Sequence, residues 1–206
     1  MNTWGEIKQA TLNKLFLEDV EAEQQGYLAK FQYLANEGLI LIANGVKPKI
    51  ATHTVKVVVR EEGKDKADGE YYVGDVIEMP EDFLSFADII NYSGDEQDPE
   101  IVFITDNTIA LKKVGTYSIF YNAAYDEITD EYVTPIGEGD NKRYKKINIP
   151  KSVLNCLPSY IASQVLSQDD IQRSTVLKNE FELMLARLDT NVMYEANHFK
   201  SSGGWY

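Results

Sequence analysis

The spacing of apolar residues predicts helices at both ends of the chain and β-strands in the middle. Near the start, the positions that share one helix face are Trp4, Ile7, Thr11 and Leu15. Thr3 and Glu6 match a capping box directly in front of that face. The pattern therefore predicts a first helix that ends at about Leu17.

A second helix is predicted from Asp19, which is placed to cap it. Its apolar stripe consists of Tyr27, Phe31, Leu34, Gly38 and Leu41. Asn44-Gly45 is typical of a left-handed helix stop, and Pro48 lies just beyond it. We therefore expect one helix that ends at about Gly45.

From Ala51 onward, apolar and polar residues alternate, which is typical of half-buried strands. The strand-like segments are 52–60, 71–79, 80–92 after an initial proline turn, 116–125 and the short RYKKINI stretch at 143–149. Residues 100–114 predict a hairpin around Asp106-Asn107, a pair that tolerates positive φ. Residues 126–141 are acidic and rich in turn formers, so we expect a loop there.

Helical periodicity returns near Ile147. Ser152 is expected to cap one turn that ends near Leu157, and Pro158 to occupy the first position of a new helix. The predicted buried edge of that helix pairs Ile161 with Val165 and Ala162 with Leu166. Asp169 is expected to cap a last helix, whose apolar stripe contains Leu177, Phe181, Met184 or Leu185, and Leu188.

Neither terminal block contains enough helices to enclose a core alone, so the simplest arrangement packs both ends together. We predict an α+β fold in which residues 1–50 and 147–190 form a helical bundle. An antiparallel, β-rich acidic domain, residues 51–146, is inserted between them, and residues 191–206 form a C-terminal tail.

The net charge of −13 is concentrated in the middle of the chain, where residues 51–150 hold 21 acids and ten bases. A negative surface repels phosphate groups, which disfavours binding to nucleic acids and to anionic membranes. No apolar run approaches the ~20 residues that span a bilayer, and no secretory signal is visible. With Cys156 as the single cysteine, we expect folding in a cytoplasm-like compartment.

No group of residues predicts catalysis, a cofactor or a metal site, so we expect a protein without enzymatic activity. His53 lies in a strand pattern and His198 in the expected tail, which favours structural or exposed roles for both. Cys156 lies between Leu154 and Leu157, where a buried small side chain is favoured over a nucleophile. The acidic clusters lack the alternating ligands of a helix-loop-helix calcium site.

Two short segments are candidates for contacts with partners. The basic stretch KRYKK, residues 142–146, is consistent with an edge strand guarded by lysines or with pairing to an acidic loop of a neighbouring copy; nucleic-acid contact is the alternative. In the tail, Phe199, Trp205 and Tyr206 are aromatic residues around a Gly/Ser tether. Because Trp and Tyr commonly anchor interfaces, we predict that these three residues bind a partner.

Several of these segments together resemble the head-to-tail adaptor (connector, or head-completion) proteins of tailed bacteriophages. MPEDFLSFADI is similar to the proline-containing turn that opens a strand in the adaptor β-region. INIPKSVLNCLPSYIASQVL resembles the start of the family's C-terminal helices, and DDIQRSTVLKNEFELMLARLD resembles the long helix that follows. The helical pair TWGEIKQATLNKLF and YLAKFQYLANEGLILIANGVKP completes the similarity.

The resemblance implies a structural virion protein at the head–tail junction, made in the bacterial host cytoplasm. Such proteins form a ring of about twelve copies beneath the portal protein, extend the DNA channel and dock the tail or further connector proteins. Genomic DNA would pass through the channel without specific binding, and no membrane is involved.

The alternative class is a tail or capsid decoration protein whose β-domain binds host carbohydrate. Thirteen tyrosines and two tryptophans make sugar stacking conceivable. However, most tyrosines fall in strand patterns such as TYSIFY, where half of them are expected to face the core.

Overall fold

The structure is a computed structural model that describes residues 1–60, 67, 69–93, 100–137 and 143–200, with only the backbone at 24, 88–92 and 189–200. The fold is α+β, as predicted. It divides into two compact units, a helical unit of Met1–Lys47 with Tyr125–Tyr206 and a β unit of Pro48–Ala124. Residues 125–146, assigned from the sequence to the inserted domain, are therefore grouped with the helices.

The helical segments of the chain are seven in the described residues, and the first of them has clear capping signals at both ends. Their bounds are α1 Trp4–Leu15, α2 Asp19–Gln24, α3 Leu28–Gly45, α4 Asp130–Val133, α5 Lys151–Leu154, α6 Leu157–Val165 and α7 Ile171–Lys200. The predicted capping box is confirmed, since Glu6 N–H donates to the Thr3 hydroxyl and Thr3 N–H donates to the Glu6 carboxylate. α1 ends at Leu15 because Phe16 is left-handed, with φ 57°.

The prediction of one helix from Asp19 to Gly45 is wrong in three respects. Asp19 does not cap it, because Glu18 is the N-cap residue and Asp19 is the first residue of α2. The segment is broken between α2 and α3 at Gly26, whose φ of 68° is the left-handed conformation that ends a helix. Gly45 itself is the last residue of α3, and the residue that caps the helix is Val46, with φ −137°. The expected left-handed stop at Asn44-Gly45 is therefore not used.

The helices α5, α6 and α7 start close to the positions predicted from the sequence, but the residues predicted to cap α5 and α7 do not cap them. α5 begins after Pro150, and Ser152 lies inside the turn instead of capping it. Pro158 lies in the first turn of α6, where its missing N–H leaves no hydrogen bond unmade. Asp170, not Asp169, caps α7, since its carboxylate accepts from Arg173 N–H at 3.0 Å. Asp169 instead accepts a hydrogen bond from the Tyr27 hydroxyl at 2.7 Å.

α6 is the centre of the helical unit and packs against α1, α3 and α7. Its buried residues cover every side of the helix, beyond the single edge predicted from the sequence: Leu157, Pro158, Ser159, Tyr160, Ile161, Ala162, Ser163 and Val165. The predicted stripe of α7 completes this core, with Leu177, Phe181 and Leu188 buried and Met184 and Leu185 partly buried. The two ends of the chain thus share one hydrophobic core.

α3 and α6 approach each other closely at Gly38. A Cβ atom at Gly38 would lie 2.9 Å from Cδ1 of Tyr160 and 3.1 Å from Cδ2 of Leu157. The same Tyr160 ring also packs against Phe181 of α7, with ring centroids 5.0 Å apart. Tyr160 is therefore held between two helices and has little room to move.

Two further contacts join α1 directly to α7. The Lys14 ammonium and the Glu180 carboxylate form an ion pair at 2.7 Å. The Arg173 guanidinium donates to the carbonyls of Lys14 and Leu15, both at 3.2 Å, and lies over the Phe16 ring. The last turn of α1 thus has its free carbonyl groups satisfied by a cation from the C-terminal helix.

The helical unit also holds together the two points at which residues 48–124 leave and rejoin it. The Tyr125 hydroxyl donates to the Lys47 carbonyl at 2.7 Å. Burial raises the pKa of Tyr125 to about 12, so the hydroxyl keeps its proton at neutral pH. We refer to this hydrogen bond as the junction clasp.

The β unit consists of two sheets with one core. The strands are β1 Lys49–Val58, β2 Glu70–Tyr72, β3 Val76–Glu78, β4 Phe83–Ser93, β5 Ile101–Thr105, β6 Thr108–Leu111 and β7 Gly115–Ala123. The first sheet has the order β2-β1-β7-β4 and the second β3-β6-β5. All pairs are antiparallel except β1 with β2. β1 and β7 pair from Lys49 with Ala123 to Val57 with Gly115, so the first and last strands lie side by side.

The strand predictions have different outcomes. The single strand predicted at 71–79 is wrong, because the chain forms β2 and β3 there, in different sheets, with Gly74 at φ 85° between them. The predicted hairpin around Asp106-Asn107 is confirmed as β5 and β6, although neither turn residue has positive φ. The predicted strand at 143–149 is wrong, because only isolated bridges form there, between Arg143 and Ile136 and between Lys146 and Thr3.

Replacing Gly38 by alanine tests the close approach of α3 and α6. We expect Gly38→Ala to lower the free energy of unfolding by about 1–2 kcal/mol, because overpacking against Tyr160 outweighs the gain in helix propensity. Gly45→Ala in the same helix is the matched control, since no atom lies within 4 Å of a Cβ there. Urea unfolding followed by far-UV circular dichroism measures both. A Gly38→Ala protein as stable as the Gly45→Ala protein would contradict the packing.

Candidate functional site

The three residues predicted to bind a partner lie in or beyond the last part of α7. Phe199 belongs to the helix, but its side chain is outside the described part, and Trp205 and Tyr206 lie outside the described residues altogether. The expected tail from residue 191 is corrected, because α7 continues to Lys200. It extends twelve residues, about 18 Å, past Leu188, the last described side chain in the core.

The helical unit contains an open cleft of about 510 Å³ between α1, α3 and the segment after α4. The cleft is lined by Trp4, Lys8, Asp19, Leu28, Ala29, Phe31, Gln32, Val133, Pro135 and Tyr144. Its charged groups are the Lys8 ammonium and the Asp19 carboxylate, which form an ion pair at 2.9 Å. Because these two charges pair with each other, the lining offers no unpaired acid or base for proton transfer.

Two amides of α3 fix one wall of the cleft. Asn36 accepts a hydrogen bond from Ile128 N–H at 2.9 Å, and its amide group donates back to the Ile128 carbonyl at 3.2 Å. Gln32 donates to the same carbonyl at 3.0 Å and to the Asp130 carboxylate. Because Ile128 is also buried in the core, the described part of the acidic 126–141 segment is anchored to the helices.

The basic stretch at 142–146 also packs within its own unit wherever it is described. The Tyr144 ring lies directly on the backbone of Gly5, where a Cβ would come within 2.6 Å of two ring atoms. Lys145 forms an ion pair with Glu131, which raises the pKa of Lys145, and its ammonium lies over the Tyr132 ring. Lys145 therefore pairs with the acidic segment of its own chain, whereas the sequence had suggested a neighbouring copy. Lys142 lies outside the described residues.

The candidate nucleophile and the described histidine show no catalytic geometry. Cys156 is 2% exposed, its thiol lies 3.3 Å from the Ser152 carbonyl, and burial raises its pKa to about 11. His53 is half-buried in β1, where burial lowers its pKa, and its Nε2 has no hydrogen-bond partner. His198 has no described side chain. Among the described residues, no group of three or more His, Cys, Asp or Glu side chains could hold a metal ion.

Among the exposed large apolar side chains of the helical unit, two sets lie on helices that both pack on α6, while Phe16, Val20, Ile136 and Ile171 lie outside these sets. The α3 face contains Tyr33, Ile40 and Leu41, and Tyr33 is 70% exposed. The prediction that Leu41 belongs to the buried stripe of this helix is therefore wrong. The α7 face contains Val176 and Leu183, one heptad apart, and Leu183 is 64% exposed. Scattered exposed apolar residues are normal, whereas apolar residues grouped on one side of a helix mark a candidate surface for contact with another protein.

These faces could have been found from the sequence. Ile40, Val176 and Leu183 lie outside the apolar stripes that form the core, so each helix has more apolar positions than one buried face needs. The cleft could not, because it depends on contacts between residues more than ninety positions apart, such as Gln32 with Ile128.

Comparison with known protein families and with curated proteins gives no match to this chain. Within the described ranges, no helix is long and apolar enough to cross a membrane.

The reactivity of Cys156 tests whether it is a structural residue. At pH 8, we expect the native thiol to react with a thiol reagent at least about a hundredfold more slowly than an exposed cysteine, because its thiolate is both rare and inaccessible. The matched control is Ser152→Cys in a Cys156→Ser background, since Ser152 is exposed one turn earlier. Equal rates for the two folded proteins would restore Cys156 as a candidate nucleophile.

Proposed function

We propose that this protein is a ring-forming head-to-tail adaptor of a tailed bacteriophage, which binds beneath the portal, extends the DNA channel and docks the tail. The observation that carries the proposal is the pair of outward apolar faces on α3 and α7 of one helical unit. The sequence resemblance of both helical ends and of the β-region to that family supports the same function.

A ring requires each copy to present two different surfaces that fit each other. In such a heterologous interface, one surface of a copy meets the other surface of the next copy, and the series closes when the rotation allows. The α3 face and the α7 face are the two surfaces in this proposal. The packing of both helices against the buried helix α6 keeps the two faces in a fixed relation.

The β unit serves in this proposal as the part that contacts other virion proteins. Residues 48–124 carry fifteen acidic and seven basic residues, so this unit contributes −8 of the net charge of −13. Such a surface repels the phosphate backbone of DNA, which favours a protein that lets the genome pass without holding it.

The carbohydrate-binding alternative has less support. Of the tyrosines in the TYSIFY strand, Tyr117 and Tyr121 are buried, and their hydroxyls donate to the Lys113 carbonyl and the Asp82 carboxylate. These rings are therefore used in the core of the β unit, and they leave no tyrosine platform on that strand for a sugar ring.

Two charge substitutions test the ring. We expect the wild-type chain to form closed rings in negative-stain images and in native mass spectrometry, whereas Tyr33→Glu and Leu183→Glu each prevent closure. An equimolar mixture of the two variants is expected to give dimers, because each variant keeps one intact face. Ile136→Glu, at another exposed apolar residue of the helical unit, is the matched control and should still form rings.

Each result bears directly on the proposal. A wild-type protein that stays monomeric at all concentrations, or rings that survive both substitutions, would contradict the assignment of the two faces. Absence of the protein from the head–tail junction of intact virions, located by labelled antibody, would contradict the adaptor function itself.

Removal of residues 199–206 tests the proposed anchoring by Phe199, Trp205 and Tyr206. We expect the truncated protein to keep the melting temperature of the full chain, because the described core ends at Leu188, and to attach poorly to portal-bearing heads. Co-sedimentation with purified heads measures attachment. The control is a variant with serines 201 and 202 replaced by alanine, which should attach normally. Normal attachment of the truncated protein would contradict the proposed anchoring by the three aromatic residues.

A further inference from the structure

Among the strands that the structure describes, the last one of the second sheet has a neighbour on one side only. In the order β3-β6-β5, β5 (Ile101–Thr105) pairs only with β6. The free side of an edge strand presents unpaired N–H and C=O groups, and proteins usually protect such an edge with lysine, proline or a covering segment. β5 contains no charged residue and no proline, and no described strand covers it.

The register shows which backbone groups point outward. Lys112 N–H donates to the Glu100 carbonyl at 2.9 Å, so residues 100 and 112 form a hydrogen-bonded pair. Hydrogen-bonded and non-bonded pairs alternate along an antiparallel ladder. Because Ile101 faces Leu111 and Phe103 faces Ile109, these two pairs are non-bonded, and the N–H and C=O groups of Ile101 and Phe103 point away from β6.

The side chains of β5 are apolar on both faces of the strand. Val102, Phe103 and Ile104 are 42%, 58% and 48% exposed, respectively. The Phe103 ring touches Phe86 edge-on at a centroid distance of 5.0 Å, so its orientation is fixed from one side. An added strand with alternating apolar residues could therefore cover apolar surface while pairing with the outward backbone groups.

Acidic residues lie at both ends of this edge. Glu100 and Asp106 flank β5 directly, and both are exposed. Lys112 does not neutralise Glu100 at this edge, since its ammonium lies 3.7 Å from the Cβ position of Gly74, on the β3 side of the sheet.

We propose that the β5 edge binds an extended segment of another protein by strand addition, and that this segment alternates apolar residues between lysine- or arginine-rich flanks. A second copy of β5 fits poorly. In parallel pairing, Glu100 would meet Glu100, and in antiparallel pairing it would meet Asp106, so both orientations place like charges together. The inference rests on the β unit alone and does not depend on the adaptor function.

The binding of synthetic peptides to the full-length chain tests this inference. The first probe alternates valine and threonine between paired lysines, the second has glutamates in place of the lysines, and the third has a proline in the centre of the lysine-flanked sequence. Isothermal titration calorimetry should detect binding of the first probe alone, with an affinity that falls as salt is raised. Equal binding of all three probes, or binding of none, would overturn the proposal.

Two variants at Phe103 distinguish the contribution of the backbone N–H to peptide binding from that of the side chain. Phe103→Pro removes the outward N–H but no hydrogen bond to β6, and edge strands tolerate proline at such outward positions. Phe103→Ala removes the ring and keeps the N–H. We expect Phe103→Pro to bind the lysine-flanked peptide about tenfold more weakly than Phe103→Ala does. Equal affinities of two variants with wild-type circular dichroism spectra would refute strand addition.

A charge exchange tests the same site without altering the strand. The double variant Glu100→Lys with Asp106→Lys should lose the lysine-flanked peptide and bind the glutamate-flanked one instead. Glu78→Lys, at the opposite edge of the same sheet, is the matched control and should keep the original preference. An unchanged preference in the double variant would overturn the role of the acidic flanks. Concentration-dependent dimers that Phe103→Pro abolishes would replace the foreign strand with a second copy.

Discussion

The burial of α6 among helices from both ends of the chain determines the arrangement of the helical unit. α1 and α3 come from the first 45 residues and α7 from the last 36, and all three pack on the same nine-residue helix. This packing needs the absence of a side chain at Gly38, because Tyr160 lies between α3 and Phe181 of α7. The tie between Arg173 and the end of α1 adds a polar contact to the same assembly. Neither end of the chain could bury its apolar stripe without the other.

Much of this arrangement follows from local pattern. The capping box at Thr3, the strands β1, β4 and β7, the β5–β6 hairpin and the buried stripe of α7 were predicted from residue spacing alone. The failures lie where a distant contact decides a local choice. Asp169 bonds to Tyr27 and leaves the cap to Asp170, and Asn36 binds a segment 92 residues away. The break at Gly26 could have been predicted, because a glycine at that position is a common end of a helix. The two outward faces were visible as apolar positions in excess, whereas the cleft was not visible at all.

The two units differ in the kind of surface that they offer. The helical unit exposes apolar stripes beside charges that are paired within it, as at Lys14 with Glu180 and Lys145 with Glu131. Contacts through such stripes depend on shape and on apolar area, and they respond little to salt. The β unit combines most of the negative charge with an apolar edge, so its contacts respond both to ionic strength and to the charge of the partner. The two proposed contacts of this chain would therefore differ in physical character.

The junction clasp between Tyr125 and Lys47 has a consequence for how this protein can change over time. The chain leaves and re-enters the helical unit at neighbouring points, Lys47 and Tyr125, and β1 lies beside β7 from its first residue. Residues 48–124 are therefore an insertion whose two ends lie close together. An insertion of another length or sequence can be joined at the same two residues without a change in the junction clasp. Selection can thus remodel residues 48–124 to suit a new partner while the helices stay as they are.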